Sequence, residues 1–270
     1  MKHSNLMIIP IFQVDAFTGK LFGGNPAAVC PLDEWLSDSL MQQIAAENNL
    51  AETAFIVDES DGYRIRWFTP AVEVDLCGHA TLASAHVFFN HLAHSGNIIE
   101  FNSRSGKLIV TKSGQQLTLD FPADVISKVE PPPVLKDVFG SAIQEVWKGK
   151  TDYMVVFDSQ QNIEQLNPDF RQLKSLEARG IIVTAPGEES DFVSRFFAPQ
   201  SGIDEDPVTG SAHTTLAVYW SQRLKKEFLS AIQLSSRKGI LNCKMNGKRV
   251  EISGECKTFM VGEIYLPEEN

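Results

Sequence analysis

The apolar and polar positions of this chain follow one pattern twice. Residues 68–89 and 197–220 each begin with an aromatic residue, a variable residue and a proline. Each then runs through an acidic loop to a Gly-polar-Ala triplet and ends in a long apolar stretch with helical spacing. The distance from the aromatic residue to the glycine is ten residues in the first copy and thirteen in the second. Because the copies begin 129 residues apart in a chain of 270, we predict a duplicated strand–loop–helix unit, one in each half.

The rest of the pattern predicts many short strands and one very apolar helix in each half. These helices cover residues 80–91 and 214–224, and the first is apolar on nearly every side. Such a helix is buried rather than laid on a surface, and a curved sheet wrapped around it is the simplest way to bury it. An amphipathic helix capped by Ser37 is predicted at 37–49. Strands are predicted at 8–17, 25–31, 54–57, 63–68, 98–101, 106–111, 116–121, 153–157, 180–184, 192–197, 228–234, 239–243, 248–253 and 258–265.

The fold class that these elements predict is α+β, with two similar domains, each a curved, mostly antiparallel sheet around a central helix. Pro131-Pro132-Pro133 is the best linker candidate, since proline is disfavoured in the interior of both helices and sheets. We expect an N-terminal domain over residues 1–125, with the C-terminal strand 258–270 as a candidate addition, and a C-terminal domain over 130–257. The sequence has no regular βαβ alternation, GxGxxG or P-loop, which argues against a Rossmann fold or a TIM barrel.

Composition narrows the class of protein. Apolar residues make up 43% of the chain, enough for a full core, and a net charge of −10 with a pI near 5.1 argues against a nucleic-acid partner. A small anionic metabolite remains an acceptable partner, because local backbone dipoles decide its binding. The sequence shows no apolar run of 18 residues and no signal-peptide pattern. We therefore expect a cytoplasmic protein without a membrane partner.

The four cysteines, Cys30, Cys77, Cys243 and Cys256, show no CxxC or Cys/His ligand spacing. We predict reduced thiols and no metal site. Three of them lie in strand-like stretches and are expected as small core residues. Cys77 differs because it directly precedes Gly78, at a predicted helix start that favours a thiolate base. The alternative for Cys77 is again a small buried residue.

Two further side chains are candidates for acid/base chemistry. Glu52 stands at the start of an apolar strand, where burial would raise its pKa toward a useful range for taking a proton from carbon. The alternative is a solvated loop carboxylate. His79 stands at a helix N-terminus, where the dipole disfavours an imidazolium, so a neutral imidazole could donate or accept a proton. The alternative is a structural partner for the nearby backbone.

The second copy of the pattern offers an acid and a second helix start. Asp206 precedes Pro207, which suits a helix N-cap followed by the first helical residue, so a plain cap competes with a catalytic acid. The helix starts near Gly78 and Gly210 offer free N–H groups and a positive dipole end. Facing one cleft, they would bind a small carboxylate, acetate, sulfate or phosphate. The competing interpretation is two ordinary buried helices whose glycines allow close packing.

Four separated blocks of the sequence resemble the phenazine-biosynthesis PhzF-like isomerase family. They read VDAFTGKLFGGNPAAV, LAETAFI, FTPAVEVDLCGHATLA and EDPVTGSAH, and they occur in the family's order. Residues 123–190 match only in layout. The resemblance implies a diaminopimelate-epimerase-like fold with the site in the cleft between two like domains. It also implies a biosynthetic, cofactor-free isomerase that moves a proton between carbons of a small carboxylate-bearing substrate.

The resemblance also assigns roles to residues. It places the proton-shuttling glutamate at Glu52, the CGHAT histidine at His79, the assisting acid at Asp206 and a small polar residue at Ser211. The two helix-start glycines would let the backbone approach the negative charge that develops on the substrate. The expected partner is a small anionic metabolite, and we also expect a homodimer.

One departure and two alternatives qualify this hypothesis. Ala51 stands where the family often has serine, so a hydroxyl that would touch substrate or tune Glu52 is missing, and the family name does not entail phenazine synthesis. A thiol-based epimerase or racemase using Cys77 would need a second base opposite the thiol, where the paired loop offers Asp206. A non-catalytic small-molecule-binding or scaffold protein is the alternative from another class.

Overall fold

The computed structural model describes residues 6–267, which form two compact units. The first unit holds residues 6–22, 26–119 and 255–267, and the second holds residues 23–25 and 120–254. Each unit combines one sheet with one long, buried helix. Among the described residues, no helix has both the length and the apolar character needed to cross a membrane.

The elements alternate through the chain as the periodicity predicts. Up to residue 122 they are β1 (Leu6–Ala16), β2 (Asn25–Leu32), α1 (Asp38–Asn48), β3 (Glu52–Glu59), β4 (Gly62–Phe68), β5 (Glu73–Val74), α2 (Gly78–Asn90), β6 (Ile98–Ser103), β7 (Gly106–Ser113) and β8 (Gln116–Pro122). Thereafter they are β9 (Ser127–Val129), α3 (Pro133–Phe139), β10 (Glu145–Lys148), β11 (Asp152–Val156), α4 (Gln160–Gln165), α5 (Phe170–Leu173), β12 (Gly180–Pro186), β13 (Phe192–Ala198), β14 (Ile203–Glu205), α6 (Ala212–Leu224), β15 (Phe228–Gln233), β16 (Gly239–Asn246), β17 (Arg249–Gly254) and β18 (Cys256–Pro267).

In the first unit the strands follow the order β18, β1, β2, β3, β4, β6, β7, β8. Two of these pairings are parallel, β2 with β3 and β4 with β6, while those of β1 with β18, β3 with β4, β6 with β7 and β7 with β8 are antiparallel. The short β5 pairs with the end of β4. Parallel pairs need a connection that crosses the sheet, and here α1 and α2 provide it.

The second unit repeats this topology with β9, β10, β11, β12, β13, β15, β16 and β17 in order. Its parallel pairs are β11 with β12 and β13 with β15, and the short β14 pairs with the end of β13. The same order and orientation in both units confirm the predicted duplication. The predicted class of two similar domains, each a mostly antiparallel sheet curved around a helix, is also confirmed.

The two central helices, α2 and α6, are both buried, but they pack against their sheets with side chains of different size. In α2 the small and aliphatic side chains of Ala80, Leu82 and Val87 have no exposed surface, so the sheet approaches the helix closely. In α6 the aromatic residues fill more space. Trp220 stacks on Phe192 of β13 with ring centroids 5.7 Å apart, and its indole N–H donates to the Thr184 hydroxyl of β12 at 2.9 Å.

The structure confirms the predicted helix cap at Ser37 but places the predicted proline linker inside the second unit. Ser37 caps α1 as predicted and accepts from the backbone N–H of Leu40 at 3.3 Å. The proline triplet, in contrast, lies inside the second unit, where Pro132 caps α3 and Pro133 is its first residue. A proline suits the first helical position because its missing N–H would have no partner there, and this explains why the triplet begins an element instead of linking the units.

Candidate active site

In the first unit, Glu52, Cys77 and His79 gather at the start of α2. Glu52 is the first residue of β3, and Cys77 caps α2, which begins at Gly78. The Nε2 atom of His79 lies 3.1 Å from Oε2 of Glu52, and the Cys77 Sγ lies 3.4 Å from the opposite ring nitrogen, Nδ1. The imidazole therefore stands between a carboxylate and a thiol.

This cluster is largely withdrawn from water. The side chain of His79 is 7% exposed and that of Glu52 is 15% exposed, while Cys77 is buried. Of the two paired side chains, Glu52 keeps the larger exposed fraction. In a site of this kind, few water molecules compete with the substrate for the charged groups.

The two charged groups fix each other's ionisation. Burial alone would raise the pKa of Glu52, but the charge and hydrogen bonding of His79 outweigh it and hold this pKa below its usual range. Burial likewise opposes charge on His79, yet the contacts with Cys77 and Glu52 raise the pKa of His79 well above its usual range, and the Glu52 carboxylate supplies the opposite charge. The predictions of a raised pKa for Glu52 and of a neutral imidazole are therefore wrong. The resting pair is a carboxylate and an imidazolium, because each charge is buried beside the other.

Cys77 differs from both neighbours in its ionisation. Burial, followed by the nearby Glu52 carboxylate, raises the pKa of Cys77 to about 11. The group is thus a neutral thiol at physiological pH, in spite of its position at a helix start. Cys30, Cys243 and Cys256 lie buried in strands, as predicted for core residues.

The same three side chains also present a carboxylate oxygen, a sulfur and an imidazole nitrogen within 4.8 Å of one another. These are ligand types that zinc accepts. A single ion could use only one of the two ring nitrogens, and they face opposite neighbours, Glu52 and Cys77. The absence of a metal remains a prediction.

Asp206 lies in the second unit and is held by a polar network. Its carboxylate accepts from the side-chain amide of Asn25 at 2.8 Å and from the Thr209 hydroxyl. Its backbone carbonyl accepts from the buried amide of Gln233 at 2.8 Å. The predicted N-cap role of Asp206 is wrong, since α6 begins only at Ala212. The Thr209 hydroxyl and the Asn25 amide engage the carboxylate instead of helix N–H groups.

Ser211 occupies the cap position of α6, directly after the buried Gly210. Its side chain makes no capping bond and instead accepts from Nη1 of Arg179 at 2.8 Å. Arg179 also binds the buried carboxylate of Asp152. Neither Arg179 nor Asp152 was identified from the sequence, because they belong to the region that matched the family only in layout. Asn25 was missed too, although it lies inside the quoted NPAAV block.

The comparisons with known proteins establish the family and the fold of this chain. The model of the family described as phenazine biosynthesis-like protein matches residues 14–262. An uncharacterized isomerase of Pseudomonas aeruginosa is 53% identical over 260 residues, which cover 96% of this chain and all of that protein. A crystal structure of a PhzF-family phenazine biosynthesis protein from Enterococcus faecalis aligns with a TM-score of 0.93 at 46% identity, over 96% of this chain and all of that one.

More distant structures share the fold alone. A hydroxyproline epimerase from Agrobacterium vitis aligns with a TM-score of 0.63 at 9% identity, over 97% of this chain and 93% of that one. The family match spans most of the chain, and the resemblance seen in four sequence blocks is thereby confirmed. The chain belongs to the phenazine biosynthesis-like family and is an enzyme of the PhzF-like isomerase class.

Proposed function

We propose that this protein is a cofactor-independent isomerase that moves a proton between two carbons of a small carboxylate-bearing substrate. The observation that carries the proposal is the withdrawn ion pair of Glu52 and His79 at the start of α2, with 3.1 Å between Oε2 and Nε2. A carboxylate and an imidazolium in contact provide one base and one acid, which is what a reversible proton transfer requires.

In the proposed reaction the Glu52 carboxylate takes a proton from one carbon of the substrate, and the electron pair of that C–H bond delocalises over the neighbouring unsaturated system. Glu52 then returns the proton to a second carbon, so no proton or electron is gained or lost overall. The imidazolium of His79 holds Glu52 in its basic form before the first step. While Glu52 carries the proton, His79 is free to stabilise the negative charge on the substrate.

The lowered pKa of Glu52 limits the substrates that fit. A carboxylate stabilised by an imidazolium is a weaker base than a free one, so the C–H bond must be acidified by conjugation. An unsaturated acid with the reacting carbon next to its double bond meets this condition. In this proposal Asp206 and Ser211 position the substrate. The negative charge of the substrate meets backbone N–H groups at Gly78 and Gly210.

The test is exchange of deuterium from heavy water into a panel of unsaturated carboxylic acids, followed by kinetics on the acid that exchanges. Glu52→Gln should reduce the rate by about 10²–10⁴-fold, the usual contribution of a general acid or base. Glu73→Gln is the matched control, because Glu73 is equally exposed at 15% and also paired, with Arg66. A Glu52→Gln enzyme as fast as the parent would remove Glu52 from the mechanism.

A thiol-based epimerase is the second candidate, because the Cys77 Sγ lies 3.4 Å from His79. The raised pKa of the Cys77 thiol argues against a thiol mechanism. We expect iodoacetamide to react slowly with Cys77, whereas rapid, substrate-protected modification with loss of activity would favour the thiol mechanism. Tight binding of an acid from the panel without any exchange would instead indicate a non-catalytic binding protein.

A cytoplasmic homodimer is part of the proposal. Phe22 and Phe259 are exposed and contact each other with ring centroids 5.9 Å apart, next to the exposed Val261 on β18. If β18 paired with its copy in antiparallel register about Met260, Lys257 would stand opposite Glu263 of that copy. Light scattering on the eluted protein should give twice the mass of 29.9 kDa, and a monomer at micromolar concentration would contradict this part of the proposal.

A further inference from the structure

In the second unit, Arg179 lies directly before the position that corresponds to the proposed base of the first unit. Glu52 begins β3 and lies opposite Ala27 of the parallel β2. In the repeated topology β12 corresponds to β3, and its first residue, Gly180, lies opposite Asp152 of β11. The residue directly before Gly180 is Arg179. One copy therefore brings a carboxylate to its helix start, and the other brings a guanidinium.

The guanidinium of Arg179 is held rigidly. Its Nε donates to Oδ1 of Asp152 at 2.9 Å and its Nη2 donates to Oδ2 of the same carboxylate, whose side chain is only 3% exposed. It also lies over the ring of Phe196, 5.2 Å from the centroid. Its backbone N–H donates to the carbonyl of Thr151 at 2.9 Å. An arginine fixed in this way loses little conformational entropy when it binds a further group.

Part of this guanidinium remains available. An arginine has five N–H donors, and the contacts to Asp152 and Ser211 use three of them. The side chain is 38% exposed, so the others can reach a solute. The Ser211 hydroxyl accepts from Nη1, which leaves its own proton to donate. Since the Asp152 carboxylate already offsets the charge of Arg179, the site offers a small anion directed N–H and O–H donors in a fixed position.

We propose that Arg179, together with the Ser211 hydroxyl, forms a binding site for the carboxylate of a small substrate. The planar guanidinium matches a carboxylate in geometry, and a charged hydrogen bond is stronger than a neutral one. The assignment of this carboxylate to the substrate rests on the proposed isomerase function, whereas the anion site itself does not. Arg179 is thus a substrate-binding residue, distinct from the acid/base pair of Glu52 and His79.

The site can be tested with malonate as the probe, by following the backbone amide signals of Ser211 and Ala212 in the isotope-labelled protein. In the parent we expect saturable shifts of these two signals. Arg179→Met should weaken malonate binding about tenfold or more, as expected for loss of a charged hydrogen bond. Arg223→Met, which removes an equal charge at the other end of α6 and is 52% exposed, should bind as the parent does.

Two further variants separate the possible failures. Glu52→Gln should bind malonate as the parent does, so an inactive Glu52→Gln enzyme with normal binding supports both proposals, and an active one overturns only the mechanism. If Arg179→Met fails to fold, Arg179→Lys replaces it, since lysine keeps the charge but loses the fork and should bind several-fold more weakly. Unchanged binding in a folded Arg179 variant, or no saturable shift in the parent, would overturn the site.

Discussion

The two units differ at their helix starts far more than in the strands that carry them. In the first unit, Arg66 of β4 holds Glu73 of β5 through two hydrogen bonds of 2.7 and 2.9 Å. Arg195 of β13 holds Glu205 of β14 in the second unit through bonds of 2.8 and 2.9 Å. Each guanidinium lies over the phenylalanine two residues further along its strand, Phe68 or Phe197, at 5.2 Å and 4.9 Å. The framework has been kept in both copies.

The helix starts of the two units carry different chemical groups. The first unit presents a thiol, an imidazolium and a carboxylate, while the second presents a serine hydroxyl and a guanidinium. A duplicated framework in which only the helix starts differ can place an acid/base pair in one copy and an anion-binding group in the other. The following experiments test how far this separation extends, beginning with the largest expected effect on stability.

The first prediction concerns the histidines in the first turns of α2 and α6, whose pKa values are shifted in opposite directions. Burial lowers the pKa of His213 to about 4, although the Thr209 carbonyl partly opposes this. His213 contacts that carbonyl through Nδ1 at 2.9 Å, and its buried Nε2 has no hydrogen-bond partner among residues 6–267. An imidazolium there would have one N–H without an acceptor.

For His213 the folded pKa lies below the unfolded one, so the unfolded state binds more protons as the pH falls from about 6.5 to 4. Stability should decrease over this window by about 3 kcal/mol on account of His213. His79 has a raised pKa, so its contribution to folding stability is present below about pH 6.5. This contribution is lost as the pH rises through the pKa of His79 in the folded state. Urea unfolding of the parent and of His213→Leu at pH 7 and pH 4.5 checks the sign, and equal pH dependence of both would contradict it.

Much of the fold was predictable because its signals are local. Apolar helices, strand alternation and the recurring aromatic-x-Pro ends are visible in neighbouring residues, and they predicted both α2 and α6. The short elements between residues 123 and 180 were missed in part, since β9, β10 and the helices α3 to α5 are brief and weakly patterned. Their boundaries depend on contacts with the sheet and not on their own sequence.

The chemistry of the site was predictable as residue types but not as ionisation states. Glu52 and His79 are 27 residues apart, and only the folded chain shows that they form an ion pair. The same holds for Asp152 and Arg179, which meet because β11 and β12 are parallel neighbours. Pro207 predicted a helix start at Asp206, whereas the side chains of Asn25 and Thr209 hold that carboxylate in a loop.

The second prediction concerns Gly180, which stands where the first unit has Glu52. A Cβ atom added at Gly180 would lie 2.2 Å from the Phe196 ring, and Phe196 is buried. Gly180→Ala should therefore lower the free energy of unfolding by about 1–3 kcal/mol, the usual effect of overpacking. Gly19→Ala is the control, because its added Cβ would meet only the movable carboxylate of Glu255 at 2.6 Å. Equal stability of the two variants would show that Phe196 can move aside, and that the second unit could accept a side chain there.

The third prediction measures whether the repeated arginine–glutamate pairs are equivalent in energy as well as in geometry. Double-mutant cycles with Arg195→Met and Glu205→Gln should give a coupling of about 1–2 kcal/mol, typical of residues in direct contact. The pair of Arg66 and Glu73 should couple about half as strongly. Each member of this pair has a second charged partner, Asp38 for Arg66 and Arg104 for Glu73, so each single variant leaves part of the ionic network intact. The other bonds of Arg195 go to uncharged backbone carbonyls.

Urea unfolding of the parent, the four single variants and the two double variants gives both coupling energies under one condition. Added salt should weaken both couplings only slightly, because three of the four side chains are less than a fifth exposed and the fourth, Glu205, is 23% exposed. A larger coupling for Arg66 and Glu73 than for Arg195 and Glu205 would contradict the prediction. It would mean that Asp38 and Arg104 strengthen the pair in the first unit instead of substituting for its members, and the two copies would then differ in their framework as well as at their helix starts.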